Sequence, residues 1–313
     1  MANVIPPRTA AKEASLTADC PEDYPYEAKR ELRDPAVREG YWRVAMGLQE
    51  VDGLKPSPYL RELARDHVLG VRGLDETGSM IRLYHARQEA ARNDELAREC
   101  EADLVSQRIV ELLNSGAFAL MPDMLAVIHG MLFQDLDPAV YRPGEYKTEA
   151  LQKREFVLNG DCAAYADPAL VERSLAFLFE EERSRAYGLE FDGAQLEHFG
   201  RFVSRLWQVH PFVEGNTRTT AVFAILYLRD LGFDVDNEPF EQHVRYFRDA
   251  LVRANYRNAK AGVLPDLRFV VRFLDNLLNG AEHELRSRDL ACKALFDDPS
   301  FLRNVDPSQA ISL

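Results

Sequence analysis

Cysteine is sparse in this chain, and the four present, Cys20, Cys100, Cys162 and Cys292, stand far apart with no CxxC pair and no metal-ligand spacing. That argues against a disulfide framework or a zinc site and leaves reduced thiols and a cytoplasmic location as the expectation. The seven histidines form no HExxH or similar pattern, so a metallohydrolase has little support. Long hydrophobic runs are missing too. The longest, Ala221 to Leu228, is far too short to cross a bilayer, and no positively charged leader precedes a hydrophobic segment, so no membrane partner is expected. Positive charge is in deficit: 38 Lys and Arg against 51 Asp and Glu give a formal net charge of −13. Attraction to phosphate is the main source of non-specific nucleic-acid affinity, so a nucleic-acid partner is not expected. No internal repeat or low-complexity tract is evident.

What the chain does have is helical periodicity over most of its 313 residues, with 46% hydrophobic content, enough for one large or two modest cores. Helical patterns run from Asp34 to Glu50 and, in two further stretches, to about Arg92. Others cover Glu95 to Leu113, with Leu104, Ile109, Val110, Leu112 and Leu113 as core candidates, then Glu172 to Glu182, Pro239 to Asn255 and Pro265 to Leu278. The acidic end of the Glu172–Glu182 stretch reads as solvated. Leu196, Phe199, Phe202, Val203, Leu206 and Trp207 mark an amphipathic helix that Pro211 should end. Thr219 to Leu228 is apolar nearly all round and reads as a buried central helix with a glycine stop at Gly232.

Between those last two helices lies His210-Pro211-Phe212-Val213-Glu214-Gly215-Asn216-Thr217-Arg218. A loop entering a helix presents free N–H groups and a partial positive charge, a ready anion site. Gly215 fits a sharp turn or a close approach to a ligand. Glu214 can hold Mg2+ while the metal keeps waters and substrate phosphates as its other ligands. Arg218 can fork two donors onto a phosphate. Asn216 can orient a phosphoryl oxygen, and the N–H groups of Gly215, Asn216, Thr217 and Arg218 can stabilise developing charge. His210 is placed to take a proton from an incoming hydroxyl. Phe212 reads as a core anchor.

The segment resembles the signature of the Fic (filamentation induced by cAMP) family, H-P-F-x-[DE]-G-N-[GK]-R-x-x-R. Leu125 to Phe133 and Pro143-Gly144-Glu145-Tyr146-Lys147 look like the family's helix ahead of its flap and the turn after it. Glu155 to Asp161, with an Asn-Gly turn, is a hairpin signal and is similar to the flap, so the resemblance gives Phe156, Val157 and Leu158 a part in aligning a target by strand addition. It implies a mainly α, Fic-type helical bundle with a small β-hairpin flap, and a protein adenylyltransferase: ATP and Mg2+ as cofactors, AMP moved to a hydroxyl of a target protein or of the chain itself. Two positions depart from the pattern. Thr217 adds a β-branched side chain, and Ala221 replaces the second Arg, which in the family holds the γ-phosphate. Lys153, Arg154, Arg253 and Lys260 are candidate replacements. Without that Arg, two alternatives arise: a phosphotransferase using the γ-phosphate, or a catalytically weak nucleotide- or protein-binding module.

Residues 26–94 look like the small antitoxin domain found beside or fused to Fic domains. In the family it carries [ST]-x-x-x-E-[GN], whose Glu meets the second Arg. Aligned on Gly53, this chain has Leu48 and Asp52 at the two key positions, so the resemblance implies weak inhibition by a shortened carboxylate with no guanidinium at position 221. Asp52-Gly53 reads equally as a helix-terminal turn. The expected organisation is a flexible 1–25, the helical region 26–94, a catalytic core 95–290 and a tail 291–313. A homo-oligomer is compatible with the pattern.

Overall fold

The structure, a computed structural model, describes residues 34–88, 93–188, 190–233, 235 and 238–297. The expected flexible segment 1–25 and nearly all of the tail beyond Phe296 lie outside them. Among the described residues the chain is helical: α1 (Pro35–Gly47), α2 (Pro58–Val68), α3 (Leu74–Gln88), α4 (Asp94–Ser115), α5 (Asp123–Phe133), α6 (Pro138–Tyr141), α7 (Val171–Arg183), α8 (Gly193–Val209), α9 (Asn216–Asp230), α10 (Glu238–Gln242), α11 (Val244–Asn255), α12 (Arg268–Asn279) and α13 (Lys293–Phe296). None of these helices is long and apolar enough to cross a membrane.

The starts of the longer helices follow from local chemistry. Asp34, Ser57, Asn93 and Asp192 each accept a backbone N–H in the first turn of α1, α2, α4 and α8, satisfying donors that helix geometry leaves without partners. Gln195 completes a capping box with Asp192. α9 differs: it begins at Gly215 with no side-chain cap.

α9 is the axis of the fold. Every residue from Asn216 to Leu228 is buried, as its all-round apolar pattern predicts, and α5 and α8 pack against it. α7, α11 and α12 cover α8, while α4 lies across α1, α3 and α5. One hydrophobic core runs from Trp42 and Val44 through Leu104, Ile109, Phe199 and Phe223 to Phe273 and Leu290. Residues 34–88 thus share their interior with the rest of the chain. Ser57, His85 and Asp103 strengthen that union: the Ser57 hydroxyl donates to Asp103 Oδ2 at 2.6 Å, and His85 Nε2 meets the same oxygen at 2.9 Å.

Three sequence readings change. The stretch Pro239 to Asn255 is two helices interrupted at His243. The end of α7 is not uniformly solvated. Glu182 is buried, with Tyr187, Tyr227 and His198 all bonded to its carboxylate, and three donors are what make a buried charge tolerable. Glu155 to Asp161 forms no strand ladder. Asn159 and Gly160 do take left-handed conformations (φ 53° and 83°), with the Asp161 N–H donating to the Leu158 carbonyl, as an Asn-Gly hairpin turn requires. Its arms close with one antiparallel bridge, Arg154 to Cys162, around a 3-10 turn at Phe156–Leu158.

Candidate active site

The loop from α8 to α9 is built by local rules. Pro211 disfavours the right-handed helical region for the residue before it. α8 therefore ends with His210 in the left-handed region (φ 49°, ψ 60°), which costs a non-glycine residue on the order of 1–2 kcal/mol. Neighbouring contacts hold it there. The His210 N–H donates to the Trp207 carbonyl at 3.0 Å, Lys147 Nζ donates to the Val209 carbonyl at 3.2 Å, and the Lys147 N–H donates to the Pro211 carbonyl at 2.7 Å.

Asn216 clasps the loop. Its Oδ1 accepts the Phe212 N–H and its Nδ2 donates to the Phe212 carbonyl, at 3.0 and 2.8 Å. The amide expected to orient a phosphoryl oxygen is thus engaged with the loop itself. Phe212 is fully buried, as expected, and stacks on His129 at 3.8 Å. His129 of α5 was not anticipated. Its Nε2 lies 3.2 Å from the Glu214 carbonyl and its Nδ1 accepts the Gly144 N–H at 2.9 Å. With Nδ1 accepting, Nε2 carries the proton and donates, which ties the loop to the turn at Pro143–Lys147. Burial draws its pKa down to about 4, so it stays neutral. Gly215 has φ 72°, and a Cβ there would sit 2.2 Å from Phe133 Cζ. Close approach to an aromatic wall, as well as the turn, demands glycine.

A cavity of about 290 Å³, open solvent included, lies over the start of α9; Asp52, Lys153, Tyr165, Trp207, His210, Glu214, Thr217 and Arg248 are among its lining residues. His210 is 9% exposed and stacks on the Tyr165 ring at 3.8 Å, with the Trp207 indole edge-on at 5.7 Å. Its Nδ1 has no hydrogen-bond partner among the described residues. Burial first, then the charges of Lys147, Lys153 and Arg248, push its pKa down to about 3, leaving a neutral imidazole. Thr217, which departs from the strict motif, accepts the Trp207 indole N–H at 3.0 Å and so fixes the wall against His210.

Glu214 reaches solvent while its inner atoms are packed against protein. Burial raises its pKa and Lys153 opposes the rise. Among the described residues no cluster of three His, Cys, Asp or Glu could hold a metal ion. Glu214 at the cavity fits a magnesium ion that arrives with substrate phosphates, because such ions take one or two protein carboxylates and keep their other ligands.

Arg218 is 1% exposed. Nη2 donates to Glu101 at 2.7 Å, Nη1 donates to Gln49 Oε1 at 3.1 Å, and the guanidinium lies 5.0 Å from the Phe133 ring centroid. Nε is 3.1 Å from Asp52 Oδ2, an ion pair without hydrogen-bond alignment. The carboxylate expected to have no guanidinium to meet therefore meets this one, while Ala221 is buried in the core. Asp52 ends the 3-10 turn Leu48–Asp52, closed by Gly53 at φ 65°, so the turn reading of Asp52-Gly53 holds alongside the ion pair. Leu48, at the position of the family's hydroxyl residue, is core, and its neighbour Gln49 supplies the polar contact.

Of the four candidate replacement cations, Lys153 is at the cavity, 3.9 Å from Asp52 Oδ1. Arg253 donates elsewhere, to the Leu290 carbonyl, and Arg154 and Lys260 do not line the cavity. Arg248 of α11 lines it, paired with buried Glu155 at 2.5 Å. No spacing in the sequence marks Arg248 or Tyr165, because each reaches the site from a distant element. At the flap Phe156 is 63% exposed, whereas Val157 and Leu158 point into the core and the Val157 carbonyl accepts the Cys292 N–H. Two of the three flap side chains are thus used for packing.

Residues 119–228 match the sequence model of the Fic/DOC family. A solved structure described as a Fic domain-containing signaling protein from Bacteroides thetaiotaomicron is similar over 83% of this chain and 97% of that one, at 16% identity and a TM-score of 0.39. No curated protein matches the chain.

Proposed function

We propose that the chain, whose residues 119–228 match the sequence model of the Fic/DOC family, is a protein adenylyltransferase that moves AMP from ATP to a hydroxyl of a protein, itself included. The observation that carries the reading is the neutral imidazole of His210 in one cavity with Glu214 and the uncapped start of α9. The hydroxyl oxygen attacks the α-phosphorus in line, its proton passes to His210, and pyrophosphate leaves. A well-placed base is worth about 10^2- to 10^4-fold in rate. The remainder comes from positioning and from the N–H groups at the start of α9. Glu214 would hold magnesium, which when bound neutralises phosphate charge.

A base with a pKa near 3 is weak; burial is the largest cause, followed by the charges of Lys147, Lys153 and Arg248. Phosphates beside Lys153 and Arg248 would cancel their part of the depression and raise the imidazole's pKa from there. Lys153 and Arg248 are also the cations that substitute for the guanidinium absent at Ala221.

Asp52 keeps this pocket small by placing a carboxylate against Arg218 and Lys153. On this reading the helical region that carries it acts as an inhibitor, a role the ion pairs of Asp52 with Arg218 and Lys153 support. A second reading, donation of the γ-phosphate, is favoured by one feature, the buried Ala221 in place of the arginine that would hold that phosphate. ATP labelled at the α or the γ position separates the two. Label from the α position only, lost in His210→Ala, is the expected result; label from the γ position only reverses the assignment, and no label from either leaves a binding module.

A further inference from the structure

Beside the cavity lies a second depression, between α7, the end of α8 and residues 164–166, of about 1060 Å³ with open solvent included. Tyr165, whose ring stacks on His210, lines both depressions, and Val209 lines this one next to that histidine. The groove therefore runs up to the proposed base. Leu170, the residue before α7, and Phe177 within it, exposed by 49% and 61%, border it. Such large apolar side chains left in water at a groove edge mark an interaction surface.

Its charge is unusual for this chain. Arg173 and Arg205 line the groove, and among the described residues no Asp or Glu does, although carboxylates outnumber basic groups 51 to 38 overall. The Arg205 guanidinium lies 5.9 Å from the Phe177 ring centroid and meets Glu181, outside the lining, at 3.0 Å. Guanidiniums next to an aromatic ring select carboxylates beside an apolar side chain, and aromatic and Arg anchors dominate the energy of protein interfaces. The overall negative charge disfavours a nucleic acid as the occupant.

We propose that this groove docks an acidic segment of the protein substrate, one that carries an aromatic residue among its carboxylates, and so delivers a hydroxyl to His210. The delivery step rests on the transfer reading above; the binding step does not. Two fluorescein-labelled ten-residue peptides test it by anisotropy with the full chain: one has a phenylalanine and a serine among aspartates, the other has lysines for the aspartates. The aspartate peptide binds at least tenfold tighter, and Phe177→Ala and Arg173→Glu each weaken it about tenfold. Circular dichroism confirms that these surface variants are folded. Equal affinity for the two peptides, or folded Phe177→Ala and Arg173→Glu variants that bind like wild type, overturns the proposal. So does sedimentation showing a dimer that Phe177→Ala dissolves, which gives the groove to a second copy. Wild type that binds the aspartate peptide but moves no nucleotide label onto its serine keeps the docking site and removes the transfer reading.

Discussion

Asp52 Oδ2 stands 3.1 Å from Arg218 Nε, and the same carboxylate faces Lys153 Nζ at 3.9 Å. A carboxylate between two cations above the uncapped start of α9 occupies the kind of place a phosphate oxygen would take. It also comes from a region that shares one hydrophobic core with α4, α8 and α9, so it is held there by packing as well as by charge.

Replacing Asp52 with Ala removes that anion and leaves Arg218 bonded to Glu101 and Gln49. ATP affinity measured by calorimetry should rise about tenfold or more, in line with one charge-assisted contact of about 1.5–3 kcal/mol. An unchanged dissociation constant would remove the blocking role.

Lys153→Ala should act in the opposite sense. In the Asp52→Ala background it is expected to weaken ATP binding by about 10- to 150-fold. Lys153 is half exposed, so thermal stability should stay nearly constant, and that contrast separates a ligand contact from a structural one.

Gly215→Ala has no tolerable geometry. The added Cβ meets the Phe133 ring at 2.2 Å on a backbone with φ 72°. A loss of several kcal/mol is expected, the range associated with core overpacking and backbone strain together. A melting temperature within about two or three degrees of wild type would contradict this packing.

Acid should unfold the protein partly through two histidines. The folded pKa values of His210, about 3, and His129, about 4, lie below the ordinary 6.5. The unfolded chain therefore binds protons that the folded chain refuses. Their contribution is complete above pH 6.5 and is lost as pH falls from 6.5 to about 4 for His129 and to about 3 for His210. Urea titrations of His210→Ala should show a shallower loss across this window than wild type, by up to about 1.4 kcal/mol per pH unit. Parallel curves for the two proteins would count against a buried neutral imidazole.

The loop from His210 to Arg218 could be read in the sequence because its geometry is local. Pro211 acts on the residue before it, Gly215 permits a turn, and the apolar run after it fixes a buried helix. The Asn159-Gly160 turn was legible for the same reason. The surrounding strand ladder was not, because pairing depends on what the arms pack against, and Val157 and Leu158 turn inward while the Val157 carbonyl bonds to Cys292. Thr217 looked like a departure in a phosphate cradle until its hydroxyl was seen to hold Trp207.

The sequence alone determined the helical class, the central buried helix and the set of groups at its entrance, since periodicity and near-neighbour sterics act within a few residues. Tertiary structure decided which partners those groups have. Asp52, Glu101 and Gln49 meet Arg218, Arg248 and Tyr165 border His210, and Glu182 gathers three donors. Those contacts join distant parts of the chain, and no local spacing encodes them: they form because packing one shared core brings the charges together, where burial makes each find an opposite or a donor.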